Sequence, residues 1–125
     1  MVRGIGVDII EIDRIRKSIE SVGDRFLEKV YTETEVAYCN GKADRYQHLA
    51  ARFAAKEALS KALSIGWAGE FRWKDVEILN APSGQPSFAL HGNLSARLVN
   101  SRVMLSLSHS ESHVVAMVLI EDGAS

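Results

Sequence analysis

The sequence predicts an α+β fold in which an antiparallel β-sheet packs against a long central helix and shorter helices. Alternating, β-branched segments lie near both ends of the chain, and a long run of strong helix formers lies between them. Strands and helices do not follow one another in the regular order of parallel α/β proteins. Because 125 residues is the usual size of one domain, we assign residues 1–125 to a single domain.

The first third of the chain predicts one strand followed by short helices. The predicted elements are a strand from Val2 to Ile10, a helix from Ile12 to Val22, a helical turn from Arg25 to Val30 and a helix from Thr32 to Asn40. Gly23 can end the first helix. Thr32 and Glu35 form a capping-box pattern, and Gly41 can end the helix that this pattern begins.

The remainder predicts a long helix and two pairs of strands. The predicted elements are a helix from Asp44 to Ile65, a loop over 66–73, strands from Asp75 to Leu79 and from Ser87 to Leu90, a helix from Asn93 to Asn100, and a hairpin of Val103 to Ser110 with Val114 to Glu121. The segment AARFAAKEALSKAL is made almost entirely of strong helix formers. NAPSGQP has turn chemistry, and Trp67 and Trp73 are expected to anchor the loop by packing.

Composition excludes several function classes. A formal net charge of −1 gives no general basic field for nucleic acid, and Cys39 is the only cysteine, so neither an internal disulfide nor a multi-thiolate zinc site is possible. The N-terminus carries charges that a signal peptide lacks, and no window approaches the ~20 apolar residues of a membrane span. We therefore expect a cytoplasmic protein without a nucleic-acid or membrane partner.

Asp8 is the first candidate site residue. It lies inside the predicted strand, in GIGVDIIEI, although aspartate is depleted in strands. The alternative is that Asp8 caps the following helix, since Asp8 and Glu11 have capping-box spacing.

Glu57 is the second candidate. It shares a sector of the long helix with alanines and aromatic residues, where an unpaired carboxylate would be costly to bury. A metal ion or Lys61, four residues on, would offset that cost, and an ordinary helix-surface Glu–Lys pair is the alternative. Arg52 diverges from Glu57 by roughly 140°, so the two face different pockets or a pocket shared between subunits, unless Arg52 is a surface arginine.

His109 is the third candidate, at the end of the alternating segment VMLSLSHS. It is predicted to share a strand face with Leu105 and Leu107, and a histidine with a purely structural role is the alternative. Two carboxylates with a lysine suit phosphoryl chemistry, because Mg²⁺ prefers one or two carboxylates together with phosphate oxygens and waters.

Three segments together resemble the holo-acyl-carrier-protein synthase family of phosphopantetheinyl transferases: GIGVDIIEIDRI at 4–15, RFAAKEALSKAL at 52–63 and LSLSHS at 105–110. The resemblance covers essentially the whole chain. It implies transfer of the 4′-phosphopantetheine group from coenzyme A to a serine hydroxyl of an apo acyl carrier protein, with release of adenosine 3′,5′-bisphosphate.

The same resemblance implies roles for individual residues. Asp8 and Glu57 would be the side-chain ligands of Mg²⁺, which Mn²⁺ could replace, and Lys61 would lie near the pyrophosphate. Either Glu57, acting through a water, or Lys61 would be the base. The residues implied to bind coenzyme A are Arg52, Lys61, Gly84, Pro86, His109 and Ser110. In the family's Gly–Lys–Pro turn, this chain has Gln85 instead of the lysine.

The resemblance also implies a homotrimer with active sites between subunits, and an acidic carrier of fatty-acid or polyketide type. Arg14, Arg25 and Phe26 would contact that carrier. Arg16 and Lys17 could extend the basic patch, and a solvated helix face is the alternative for these two. Two alternatives remain. One is another Mg²⁺-dependent enzyme acting on a nucleotide phosphate, such as a hydrolase. The other is a non-enzymatic binding domain.

Overall fold

Residues 1–63 and 71–123, which the computed structural model describes, form two antiparallel sheets and five α-helices. The elements in chain order are β1 (Val2–Glu11), α1 (Ile12–Val22), α2 (Asp24–Val30), α3 (Glu33–Asn40), α4 (Arg45–Leu63), a 3₁₀ turn (Trp73–Asp75), β2 (Val76–Asn80), β3 (Pro86–Leu90), α5 (Gly92–Arg97), β4 (Ser101–His109) and β5 (His113–Asp122). The predicted α+β class is confirmed. The strands form two separate sheets rather than one, in the orders β1-β5-β4 and β2-β3.

The predicted elements are present with small shifts at their ends. The predicted helix 93–100 is shorter, since α5 ends at Arg97 and residues 98–100 form a turn into β4. The predicted end of the long helix after Leu63, most of the following loop and Trp67 lie outside the described residues.

The predicted helix ends are also found. Gly23 follows α1 with a φ of 77°, a backbone conformation that costs glycine little. Thr32 caps α3: its hydroxyl accepts from Glu35 N while the Glu35 side chain accepts from Thr32 N, so both halves of the capping box form.

The three-stranded sheet joins the two ends of the chain, because β5 lies between β1 and β4. Asp8 is opposite Ala116 on β5, and Ala116 is opposite Leu107 on β4. One face of this sheet packs against α4, and the other is exposed and apolar. Ile5, Val7, Ile9 and Met117 on that face are 44–63% exposed.

The core forms around α4, which is buried on most of its circumference. The buried residues of α4 are Leu49, Ala50, Arg52, Ala54, Ala55, Lys56, Ala58, Leu59, Ala62 and Leu63. Cys39 on α3 is fully buried beside it, and burial raises the pKa of its thiol to about 11, so the thiol stays protonated at neutral pH. Among residues 1–63 and 71–123, no helix has the length and apolar character that crossing a bilayer requires.

Candidate active site

Two glycines bring β1 against the backbone of α4. A Cβ atom at Gly4 would overlap the Ala62 carbonyl oxygen, and one at Gly6 would overlap the Ala58 carbonyl oxygen. Strand residues alternate between faces, so the next side chain on this face after Gly6 is Asp8. The glycines therefore set the close approach that carries Asp8 to the α4 side chains.

Lys61 links the strand to the helix. Its Nζ donates to Asp8 Oδ1 at 3.0 Å and to the Val7 carbonyl oxygen at 3.2 Å. Asp8 is therefore a strand residue facing α4, and the interpretation of Asp8 as a helix cap is wrong. The N-cap of α1 is Glu11, which makes no side-chain cap bond.

Burial and the charges of Asp8, Lys61 and Arg14 all influence the pKa of Glu57. Burial raises the pKa of the Glu57 carboxyl, and the negative charge of Asp8 raises that pKa further. Lys61 and Arg14 oppose the shift. The two carboxylates are thus close enough to repel each other, and a cation between them would relieve that repulsion.

This pair of carboxylates fits a hard divalent cation whose remaining coordination positions are filled by substrate oxygens and waters. No group of three or more histidine, cysteine, aspartate or glutamate side chains that could hold a metal is found within residues 1–63 and 71–123. A closed zinc site would need such a group. Magnesium does not, because it commonly takes one or two carboxylates plus waters and phosphate oxygens.

His109 and Ser110 line a different depression, a cleft of about 390 Å³ that also includes Ile9, Ser108, His113 and Val115. Ser110 Oγ accepts hydrogen bonds from the backbone N–H groups of Ser112 and His113. With its oxygen so occupied, the Ser110 hydroxyl can direct its own proton toward an acceptor such as a phosphate. Ile9 borders both this cleft and the exposed apolar face of the sheet.

Arg52 is almost completely buried, so the interpretation of it as a surface arginine is wrong. Its Nε lies 3.9 Å from Glu35 Oε2, and its guanidinium lies 4.6 Å from the centroid of the Tyr38 ring. Another guanidinium nitrogen donates to Asn80 Oδ1 at the start of the β2–β3 turn. Gly84 has a φ of 92° in that turn, and Pro86 begins β3.

The predicted carrier-binding residues lie on α1 and α2. Arg14 and Arg25 are exposed. Phe26 is half-buried and stacks on Phe53, with the ring centroids 6.2 Å apart. Arg16 and Lys17 both form ion pairs with Asp13 on α1.

The sequence did not single out Lys56, which is fully buried although it directly precedes Glu57. Its Nζ donates to Glu35 Oε1 at 2.7 Å, to the Val30 carbonyl oxygen at 2.6 Å and to the Trp73 carbonyl oxygen at 3.1 Å. Glu35 also accepts from the backbone N–H of Ile78. Lys56 and Glu35 therefore tie α2, α3, the 3₁₀ turn and β2 to α4.

Comparison with known proteins identifies the family. The family model described as the 4′-phosphopantetheinyl transferase superfamily matches residues 4–118. A holo-[acyl-carrier-protein] synthase of Koribacter versatilis is 44% identical over 98% of this chain and 100% of its own length.

Solved structures agree. The holo-[acyl-carrier-protein] synthase of Neisseria meningitidis matches with a TM-score of 0.88 and 34% identity, over 98% of this chain and 100% of that one. The Bacillus anthracis enzyme, solved in complex with CoA (3′,5′-ADP), matches with a TM-score of 0.81 and 37% identity over 98% and 99%. This chain therefore belongs to the holo-[acyl-carrier-protein] synthases, enzymes of the 4′-phosphopantetheinyl transferase superfamily.

Proposed function

We propose that this enzyme transfers the 4′-phosphopantetheine group of coenzyme A to a serine hydroxyl of an apo acyl carrier protein and releases adenosine 3′,5′-bisphosphate. The observation that carries the proposal is the convergence of Asp8, Glu57 and Lys61 at the contact of β1 with α4. Family membership and the coenzyme A ligand of a solved relative support the choice of substrate.

Asp8 and Glu57 would hold Mg²⁺, and Mn²⁺ could take its place. The support is the mutual repulsion of the two carboxylates and a donor set that leaves positions for phosphate oxygens. When bound, the metal would neutralise negative charge on the pyrophosphate during transfer.

The transfer is a displacement at phosphorus. The serine oxygen forms a bond to the β-phosphorus of coenzyme A while the bond from that phosphorus to the bridging oxygen breaks. The bridging oxygen leaves with its electron pair on adenosine 3′,5′-bisphosphate. The serine proton passes to a base, for which we favour Glu57: its pKa is raised, and Lys61 acts as a hydrogen-bond donor to Asp8. Lys61 would then balance negative charge on the pyrophosphate.

His109 and Ser110 would bind the 3′-phosphate end of coenzyme A, because the outward Ser110 hydroxyl and a histidine can both donate to a phosphate. Arg52, Gly84 and Pro86 would complete that end of the site. Gln85, a neutral residue, would offer this end of coenzyme A hydrogen bonds without charge.

The active assembly would be a homotrimer whose sites lie between subunits. The support is the exposed apolar face formed by Ile5, Val7, Ile9 and Met117, together with the position of the His109 cleft at the edge of that face. One subunit would supply Asp8 and Glu57, and its neighbour would supply His109 and Ser110. We place this assembly in the cytoplasm.

The carrier would bind along α1 and α2 through Arg14, Arg25 and the accessible part of Phe26. We expect Arg14→Glu and Arg25→Glu to weaken carrier binding by more than about tenfold, because each replaces attraction to an acidic partner by repulsion. Coenzyme A binding should change little for Arg25→Glu. Calorimetry with each ligand measures both effects, and equal losses for carrier and coenzyme A would contradict this assignment.

The decisive experiment is mass spectrometry of an apo carrier after incubation with the enzyme, coenzyme A and Mg²⁺. A mass increase of one phosphopantetheine on the carrier serine is expected, and it should depend on the metal. The same incubation without carrier separates this activity from a nucleotide-phosphate hydrolase. Cleavage of coenzyme A in the absence of carrier would favour the hydrolase.

A further inference from the structure

Asn80 connects two parts of the proposed coenzyme A site that lie on different elements. Its Oδ1 accepts a hydrogen bond from the guanidinium of Arg52 on α4. Its Nδ2 donates to the carbonyl oxygen of Gly84 at 3.0 Å, inside the β2–β3 turn. A single side-chain amide therefore joins the central helix to this turn.

The chemistry of the two partners fixes the orientation of this amide. A guanidinium can only donate hydrogen bonds, and a carbonyl oxygen can only accept them. Asn80 must therefore present its oxygen to Arg52 and its nitrogen to Gly84. Neither aspartate nor alanine at this position could make both bonds.

The backbone hydrogen bonds of the turn stay within it. Asn80 is opposite Pro86 at the end of the two-stranded ladder. Within the turn, Gly84 N donates to the Ala81 carbonyl oxygen and Ala81 N donates to the Gln85 carbonyl oxygen. Those bonds hold the turn together, but within residues 1–63 and 71–123 only the Asn80 amide joins the turn to Arg52 by hydrogen bonds.

Arg52 is itself a fixed partner. It is buried, it lies over the Tyr38 ring, and its Nε lies 3.9 Å from the Glu35 carboxylate, which Lys56 also contacts. The Arg52 guanidinium is therefore held by contacts with α3 as well as by Asn80, and the position of the turn depends on it.

We propose that Asn80 is a positioning residue that fixes the β2–β3 turn relative to Arg52, so that both meet the nucleotide end of coenzyme A in one arrangement. This inference rests on the proposed function. Asn80 acts through Gly84 and Arg52 and need not touch the substrate. Removing it should therefore weaken nucleotide binding and leave the chemical step unchanged.

The test compares Asn80→Ala and Asn80→Asp with the wild type and with Ser87→Ala, a matched control at an exposed β3 position. Calorimetry gives the dissociation constants of adenosine 3′,5′-bisphosphate and coenzyme A, and steady-state kinetics gives KM for each substrate and kcat. We expect Asn80→Ala to weaken nucleotide binding and raise KM for coenzyme A by about tenfold. The carrier KM and kcat should stay within about twofold.

Asn80→Asp distinguishes the hydrogen bond to Arg52 from the hydrogen bond to Gly84. Its carboxylate can still accept from Arg52 but repels the Gly84 carbonyl oxygen, so the proposal expects nucleotide binding as weak as in Asn80→Ala. The variant is nearly isosteric, so it carries the test if Asn80→Ala fails to fold. Wild-type nucleotide binding by Asn80→Asp would overturn the inference, as would equal losses in kcat and in both KM values. If the wild type itself bound neither nucleotide, the proposed function would fail first.

Discussion

At the scale of single residues, the neighbouring carboxylates of Asp8 and Glu57 do not by themselves stabilise the fold. Burial disfavours ionisation of the Glu57 carboxyl, and the negative charge of Asp8 adds to that effect. Lys61 compensates part of this charge through its bond to Asp8. A cluster that is unfavourable without a cation is expected to bind one.

We therefore expect Asp8→Asn and Glu57→Gln each to weaken the Mg²⁺-dependent binding of coenzyme A by at least about tenfold, since each removes a negative ligand. Calorimetry at several Mg²⁺ concentrations measures this change. Glu11→Gln is the matched control, because Glu11 is an exposed carboxylate at the end of β1. Unchanged metal dependence in both variants would exclude the proposed metal site.

The direction of the Glu57 shift also predicts how stability depends on pH. Because its pKa is raised above 4.5 in the folded protein, the folded state holds this proton more tightly than the unfolded state. Stability from this group is therefore present below pH 4.5 and is lost as the pH rises through the folded pKa. In metal-free buffer, Glu57→Gln should unfold at a temperature no lower than the wild type at pH 7.5. A clearly lower melting temperature would show that the Glu57 charge stabilises the fold.

At the scale of elements, the contact of β1 with α4 builds the site. Gly4 and Gly6 let the strand lie on the helix backbone at Ala58 and Ala62. Any side chain at these strand positions would move the two elements apart and would also move Asp8 away from Glu57.

Gly6→Ala should therefore destabilise the fold by at least about 2 kcal/mol, because its Cβ would meet backbone atoms that cannot rotate away. Urea denaturation measures the loss, and Mg²⁺-dependent coenzyme A binding should fall in the fraction that stays folded. Gly41→Ala is the control. Its φ is −78° and the nearest contacting atom is 3.5 Å away, so its stability should change by less than about 1 kcal/mol. Similar stabilities for the two variants would refute the close-approach argument.

Local sequence patterns were sufficient to predict most elements. The Thr32–Glu35 capping box, the Gly23 stop and the alternation of β4 all depend on residues close together in the chain, and each is found. Asp8 and Glu57 stood out because a carboxylate is unusual in a strand or an alanine-rich helix face.

Contacts between distant segments could not be predicted in the same way. Lys56 pairs with Glu35 across 21 residues, and Arg52 bonds Asn80 across 28. Because α4 is buried on most of its surface, it has no polar face that would distinguish an exposed lysine from a buried one. The division of the strands into two sheets likewise depends on pairing partners rather than on local pattern.

At the scale of the whole molecule, one sheet has a covered face and an uncovered one. The inner face packs on α4, whereas Ile5, Val7, Ile9 and Met117 leave an apolar surface in solvent. Contiguous apolar surfaces of this kind typically mark interfaces. The cleft with His109 also includes Ile9 and Val115 of this uncovered face, whereas Asp8 faces α4, so the proposed trimer would let a neighbouring subunit complete a site that uses both.

Val7→Lys tests this arrangement, because a lysine in the middle of the apolar face would be buried without a partner in every subunit of a trimer. We expect monomers by size-exclusion chromatography with light scattering, and a loss of transferase activity of more than about tenfold, while the circular dichroism spectrum of each chain is retained. Val99→Lys is the control, since Val99 is 74% exposed in the turn before β4 and its substitution should leave assembly unchanged.

Co-expression adds an independent measurement. Asp8→Asn and His109→Ala chains, each inactive alone, should regain activity in mixed trimers because some sites combine an intact Asp8 with an intact His109. A fully active Val7→Lys monomer, or mixed trimers without activity, would place the whole site within one subunit.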